Sequence, residues 1–330
     1  MGRYLIYGAG AIGSVFGGML AAAGHQVDLV GRSPHMDAIA SKGLVIDGLL
    51  GNHVIRDLRA FTDLAGLERK PAVTAVFVSV KSSDTDDTVR RLARSGLVGD
   101  KTLVVSLQNG LGNLELIREV FGRERSFGGR VIFGAQMTEP GHIHVSVWAD
   151  KVLIGGPAED PAAEKEGMKA GGELARVLTL SGIETAVEKN IEAALWGKVL
   201  YNVGLNPLSA LLEVPYGELG RQENARRLLI SLTEEAFAVA SRETDLPWDT
   251  SGEYLELFFS RLLPSTESHL SSMLQDLERG RATEIDAITG QVIRRAEALD
   301  LPVPVNRVIY DLVKAKVAAV KRSQPVNGEQ

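Results

Sequence analysis

Three polar residues recur at intervals of four in an otherwise apolar stretch, LWGKVLYNVGLNPLSAL: Lys198, Asn202 and Asn206. On a helix these positions drift by only about 80°, so they form a polar stripe beside Leu195, Val199 and Leu208. An amine and two amides on one face suit the reduction of a carbonyl. A hydride delivered to a keto carbon leaves alkoxide charge on the oxygen, and a lysine whose pKa is lowered by partial desolvation is a suitable proton donor. Lys198 fits that role, while the amides can donate to a carboxylate and accept from hydroxyls without adding charge.

Such chemistry needs a hydride source, and the N-terminus offers a place for one. In GAGAIG, Gly8, Gly10 and Gly13 alternate with Ala9, Ala11 and Ile12, directly after the strand-like YLIY and at the opening of a helical pattern. In that context glycines permit a tight turn and let backbone amides approach a dinucleotide pyrophosphate. An NAD-type site would place an acid at the end of the second strand, but VDLVGRS ends in Gly31 and Arg32. Asp28 lies at about the right count from Gly8, yet inside the strand, too early to reach a ribose. Arg32 suits a 2'-phosphate, which a guanidinium can take bidentately, so NADP(H) is the expected cofactor. Lys81 in VSVKSSD and Asn109 in LQNGLGN each follow a strand's C-terminal end, where open α/β sheets bind ligands. The plainer readings are a solvated loop charge for Arg32 and a simple turn before a helix for NGLG.

These residues need a scaffold of two kinds. Up to residue 188, short β-branched runs alternate with helical patterns, which implies βαβ units and a mainly parallel, Rossmann-like sheet. VIFGAQ, HIHVSVW and KVLIGG, with turns between them, read as antiparallel additions at its edge. From residue 189 to 330 strand signals stop, and RRLLISLTEEAFAVASRE, SSMLQDLERGRATEIDAITGQVIRRAEAL and VNRVIYDLVKAKVAAVKR predict an all-helical second domain. The tail SQPVNGEQ is expected to fray.

Composition excludes several functions. A net charge of -6 argues against a general nucleic-acid or anionic-membrane binder, and the basic run KAKVAAVKR reads as a solvated helix face. Without cysteine there is no thiolate nucleophile and no sulfur-based zinc site. His142 and His144 alternate on one strand face with no third ligand in view, so no metal is expected. No secretory signal pattern and no membrane-length apolar run are seen, and the expected location is cytoplasmic.

Through GAGAIG, VKSSD, LQNGLGN, LWGKVLYNVGLNPLSAL and SSMLQDLERGRATEID, in that order and over nearly its whole length, the chain resembles the ketopantoate reductase (2-dehydropantoate 2-reductase) family. The resemblance implies an NADPH-binding Rossmann-like domain over 1–188. Over 189–330 it implies a helical substrate-binding domain like the C-terminal domain of 6-phosphogluconate dehydrogenase, often dimeric, so a homodimer is the expected protein partner. The implied reaction is NADPH-dependent reduction of 2-dehydropantoate, a small 2-oxo acid, to (R)-pantoate for pantothenate and coenzyme A synthesis, with Lys198 as general acid. The resemblance also implies that Asn109, Asn202 and Asn206 hold the substrate, with Asn109 near the nicotinamide of the cofactor as well, that Ser272 binds the substrate carboxylate, and that Glu284 belongs to the same active site. Arg32 and Lys81 match cofactor-binding positions.

The residues admit other readings. Glu284 could be a surface glutamate at a helix start paired with Arg281, and Ser272 a helix N-cap. Tyr216 of PYGEL stands where some members have an asparagine touching the substrate. The same framework could reduce a related 2-oxo acid, since pocket shape sets that choice. A non-catalytic NADP(H)-sensing protein is the reading from another class.

Overall fold

YLIY and AVFV are apolar at every position, a pattern that only a sheet covered on both faces can use. The computed structural model, which describes residues 1–69, 72–156 and 161–323, builds that sheet. The chain divides into two compact units, Met1–Gln108 with Gly112–Ala194, and Asn109–Leu111 with Leu195–Gln330.

The first unit opens with β1 (Arg3–Tyr7), α1 (Ala11–Ala22), β2 (Gln26–Val30), α2 (His35–Lys42), β3 (Leu44–Gly48), β4 (His53–Ile55) and β5 (Arg59–Phe61). It continues through β6 (Ala75–Val78), α3 (Thr85–Ser95), β7 (Leu103–Ser106), α4 (Asn113–Phe121) and β8 (Ser126–Arg130). It closes with β9 (Phe133–Glu139), β10 (His142–Trp148), β11 (Val152–Gly155), α5 (Pro161–Leu180) and β12 (Thr185–Val187). Eight strands form the main sheet in the order β12-β11-β8-β7-β6-β1-β2-β5. All its neighbours are parallel except β8 and β11.

The expected antiparallel additions divide. Only β11 joins the main sheet, whereas β9 and β10 pair with each other and form a second sheet, β4-β3-β10-β9. Their patterning explains this: in β10, Ile143 and Val145 are buried while His144 is exposed, so one face stays in water and the strand cannot serve a doubly covered sheet. Helix α1 lies against both sheets. A side chain at Gly17 would strike Leu29 and Ile6 of the first, and one at Gly18 would strike Ile46 and Leu44 of the second. That is why AIGSVFGGMLAA can be apolar nearly all round.

The second unit is helical, as its sequence predicts. It carries α6 (Ile191–Leu212, of which the unit takes Leu195 onward), α7 (Tyr216–Arg221), α8 (Glu223–Glu243), α9 (Ser251–Leu257), α10 (Ser272–Glu278), α11 (Thr289–Ala298) and α12 (Pro304–Ser323). The helical pattern of SSMLQDLERGRATEIDAITGQVIRRAEAL is broken in the structure. It stops at Glu278, just before Gly280 with φ +62°, and resumes at Thr289, leaving Glu284 in the intervening turn. Nor is KAKVAAVKR simply a solvated face. Lys316 Nζ donates to the carbonyls of Ala210 at 2.7 Å and Leu211 at 3.2 Å, satisfying the C-terminal end of α6. Of the tail expected to fray, all beyond Ser323 lies outside the described residues.

Candidate active site

Strand β1 is followed by Gly8, whose φ of +104° a side chain would strain; an added Cβ would also sit 2.4 Å from Val80 N. The close approach sets the glycine turn against the backbone that leads into Lys81. Gly13 is equally confined, because a Cβ there would lie 2.5 Å from Gly8 O. Gly10 is the opposite case, with nothing within 4 Å of an added side chain. It caps α1 with no side-chain hydrogen bond, and the first turn holds no acid. With room beside Gly10, no capping side chain and no acid in the first turn, the positive end of the helix dipole is left uncompensated, and the residues Gly8 to Gly13 fit a pyrophosphate.

Asp28, the competitor for a ribose contact, is fully buried between arginines. It accepts from Arg3 at 2.8 Å and from Arg59 at 2.7 Å, so it holds β2 to its neighbours and has no role toward a ligand. Arg32 follows β2 with its side chain 89% exposed and lies 3.4 Å from Asp84. Asp84 closes the short turn that begins after Lys81, so the loops carrying Arg32 and Lys81 meet. In the sequence alone Asp84 gives no sign of this contact, because an acid before a helix looks like an ordinary cap. Within the same unit, the buried Ser14 Oγ and His35 Nε2 lie 3.0 Å apart, and His35 Nδ1 accepts from Gly141 N at 2.8 Å. Nδ1 is thus the acceptor, so Nε2 carries the proton and donates to Ser14.

In the helical unit, Lys198, Asn202 and Asn206 occupy successive turns of α6, with both asparagines buried and Lys198 half-buried. Asn109 belongs to this unit despite its place in the sequence. Its Nδ2 donates to Glu284 Oε2 at 3.0 Å, and Leu111 N donates to Ala287 O at 2.9 Å. Gly110 between them has φ +81°, and a Cβ would lie 2.3 Å from Ala287 O. The NGL segment is thus clipped onto the Glu284 turn, and Glu284 takes Asn109 as a partner rather than standing at a helix start.

Asn206 is held from two sides. The Tyr216 hydroxyl donates to its Oδ1 at 2.6 Å, and Ser271 Oγ donates to its carbonyl oxygen at 3.3 Å. Burial pushes the Tyr216 phenol far above its ordinary pKa, and the nearby Tyr201 adds to this. Tyr201 itself is pushed up to about 12 by desolvation, which outweighs its hydrogen bond to Thr266.

Ser271, not Ser272, is the N-cap of α10, accepting from Leu274 N at 3.0 Å. Ser272 is the first helical residue and is exposed. The spacing from Ser272 to Gln275 imitates a capping box and points to the wrong serine; Gln275 instead donates to Leu270 O. Neither Tyr216 nor Ser271 carries a local sequence signal for its contact with Asn206.

On the second sheet, His142 and His144 share the Asp47 carboxylate at 2.7 and 2.6 Å. Among the described residues no group of three or more His, Asp or Glu side chains is placed to hold a metal ion, and no helix is long and apolar enough to cross a membrane.

A Rossmann-type sheet and a separate all-helical unit in one chain place the protein among the nicotinamide-dinucleotide oxidoreductases built on this plan. More narrowly, it belongs to the ketopantoate reductase PanE/ApbA family, whose model matches residues 4–158 and whose C-terminal model matches residues 190–317. The 2-dehydropantoate 2-reductase of Aquifex aeolicus (strain VF5) is 35% identical over 317 residues, covering 95% of this chain and 96% of that one. The crystal structure of a PanE/ApbA family ketopantoate reductase from Ralstonia eutropha JMP134 superposes with a TM-score of 0.83 at 31% identity, over 97% and 99% of the two chains. The ternary structure of D-mandelate dehydrogenase with NADH and anilino(oxo)acetate gives 0.84 at 25% identity, again over 97% and 99%.

Proposed function

We propose that the protein reduces 2-dehydropantoate to (R)-pantoate with NADPH as the hydride donor. The observation that carries the reading is the set of groups in one helical unit: the Lys198, Asn202 and Asn206 stripe of α6 and the Asn109–Glu284 pair. Full-length similarity to 2-dehydropantoate 2-reductases supports it.

When bound, NADPH supplies a hydride to the keto carbon of the substrate. Lys198 gives a proton to the keto oxygen as charge develops there, which leaves the hydroxyl of the product. Asn202 and Asn206 hold the carboxylate and hydroxyl ends of the small acid, so that the reacting carbon is presented in one orientation. Glu284 accepts from Asn109 Nδ2 and keeps that amide from turning. Gly8 to Gly13 receive the pyrophosphate on the N-terminus of α1, Arg32 takes the 2'-phosphate, which is the basis for NADP over NAD, and Lys81 makes a further contact to the cofactor. Ser272 serves the substrate carboxylate from the start of α10.

A related 2-oxo acid is the second reading, favoured by the fold shared with a D-mandelate dehydrogenase that binds anilino(oxo)acetate. The test is steady-state NADPH oxidation with 2-dehydropantoate, pyruvate and 2-oxoisovalerate side by side. A kcat/KM above about 10⁴ M⁻¹s⁻¹ for 2-dehydropantoate alone is expected. Slow turnover of all three would move the substrate assignment to another oxo acid, and firm NADPH binding without turnover would defeat the enzyme reading.

A further inference from the structure

We propose that Tyr216 is a positioning residue that holds the Asn206 side chain as a hydrogen-bond donor toward the substrate. The inference rests on the reading of Asn206 as a substrate contact.

A side-chain amide is nearly symmetric in shape but not in chemistry. Turned over, it exchanges an acceptor for two donors at little steric cost. In this protein the choice is made by the phenol, whose hydroxyl donates to Asn206 Oδ1 at 2.6 Å in a place where both residues are only 3% exposed. The reversed amide would leave the hydroxyl hydrogen without this acceptor in a site shut off from water, a state that buried polar groups rarely occupy. Because burial raises the phenol's pKa, the hydroxyl keeps its proton, and so its donor role, throughout the working range of pH.

The phenol is itself fixed. Tyr216 N donates to His269 O at 3.0 Å, and the ring stands edge-on to Tyr201 with centroids 6.0 Å apart. The Asn206 main chain is held by Ser271 Oγ. With Oδ1 committed, Asn206 meets the substrate through Nδ2–H. That matches a carboxylate or keto oxygen and offers no acceptor to an ammonium group, so the pair selects 2-oxo acids over 2-amino acids of the same shape.

Kinetics of Tyr216→Phe, Asn206→Ala and the double variant test this on the full chain with NADPH and 2-dehydropantoate. Tyr216→Phe is expected to raise KM about tenfold, with kcat within about threefold and NADPH affinity unchanged. On the Asn206→Ala background the same change should add less than about twofold. If Asn206→Ala does not fold, Asn206→Asp replaces it: the carboxylate still accepts from Tyr216 but presents an oxygen where Nδ2 was, so KM should rise and Tyr216→Phe should add little. Multiplicative, independent effects would overturn the inference. So would an unchanged KM in Tyr216→Phe beside an impaired Asn206→Ala, which leaves the proposed function standing. An unimpaired Asn206→Ala would instead remove the substrate-contact reading itself.

Discussion

Asn109 and Glu284, 175 positions apart in the chain, are joined by a 3.0 Å hydrogen bond from Nδ2 to Oε2. Hydrogen bonds to charged groups contribute about 2 kcal/mol, so Glu284→Ala should lower kcat/KM roughly 30-fold. Glu284→Gln, which keeps an oxygen for Asn109, should lose less. Steady-state rates for the two variants decide it, and equal losses would mean that the charge, not the contact, matters.

Gly110, next to Asn109, tests how the clip is built. With φ +81° and an added Cβ 2.3 Å from Ala287 O, Gly110→Ala forces the backbone apart. A cost of about 2 kcal/mol or more is expected. Denaturant melts would show it as a lower midpoint; an unchanged midpoint would contradict the close approach.

Lys198→Ala removes the proposed proton donor. The rate should fall by roughly 10²–10⁴ while NADPH binding holds. Single-turnover hydride transfer, followed at the nicotinamide absorbance, separates this from a binding defect, and turnover at the parent rate would rule out Lys198 as the acid.

Arg32 and Asp84 set cofactor choice from opposite sides. Arg32→Ala should weaken NADPH at least tenfold and NADH little. Asp84→Asn should tighten NADPH by about threefold, because a carboxylate 3.4 Å from the guanidinium competes with a phosphate. Titrations of both cofactors give the answer; equal losses of NADPH and NADH in Arg32→Ala would end the case for NADP.

His35 makes folding depend on pH. Burial lowers its pKa from the ordinary imidazole value of 6.5, so between the two values the unfolded chain binds a proton that the folded one does not. Stability is therefore full above pH 6.5 and falls as the pH drops toward the folded value. His25 and His269, also lowered chiefly by burial, act in the same direction. Unfolding midpoints at pH 7.5 and 5.5 should differ less in His35→Gln than in the parent, and an identical difference would assign the dependence to other groups.

Much of the scaffold is legible in the sequence because it is governed by local periodicity. Fully apolar runs give β1 and β6, the glycine turn lies between β1 and α1, and Lys198, Asn202 and Asn206 share a face of α6 because the helical repeat places them there. Where two elements compete for similar residues, locality fails. The alternating HIHVSVW fits the edge of the main sheet as well as a separate one, and its partner β3 is about a hundred residues away. SSMLQD contains two serines that can cap, and the choice of Ser271 is tied to contacts with Ser209 and Asn206 on another helix.

The sequence by itself therefore determined which residue types stand on each element and which side of it they occupy, since helix and strand periods act over a few residues. Only the tertiary structure decided the partnerships: Asn109 with Glu284, Tyr216 with Asn206, Arg32 with Asp84, and Lys316 with the end of α6. Each joins elements brought together by burial of their apolar faces. Which polar groups then meet depends on how those faces pack, and no spacing along the chain records that.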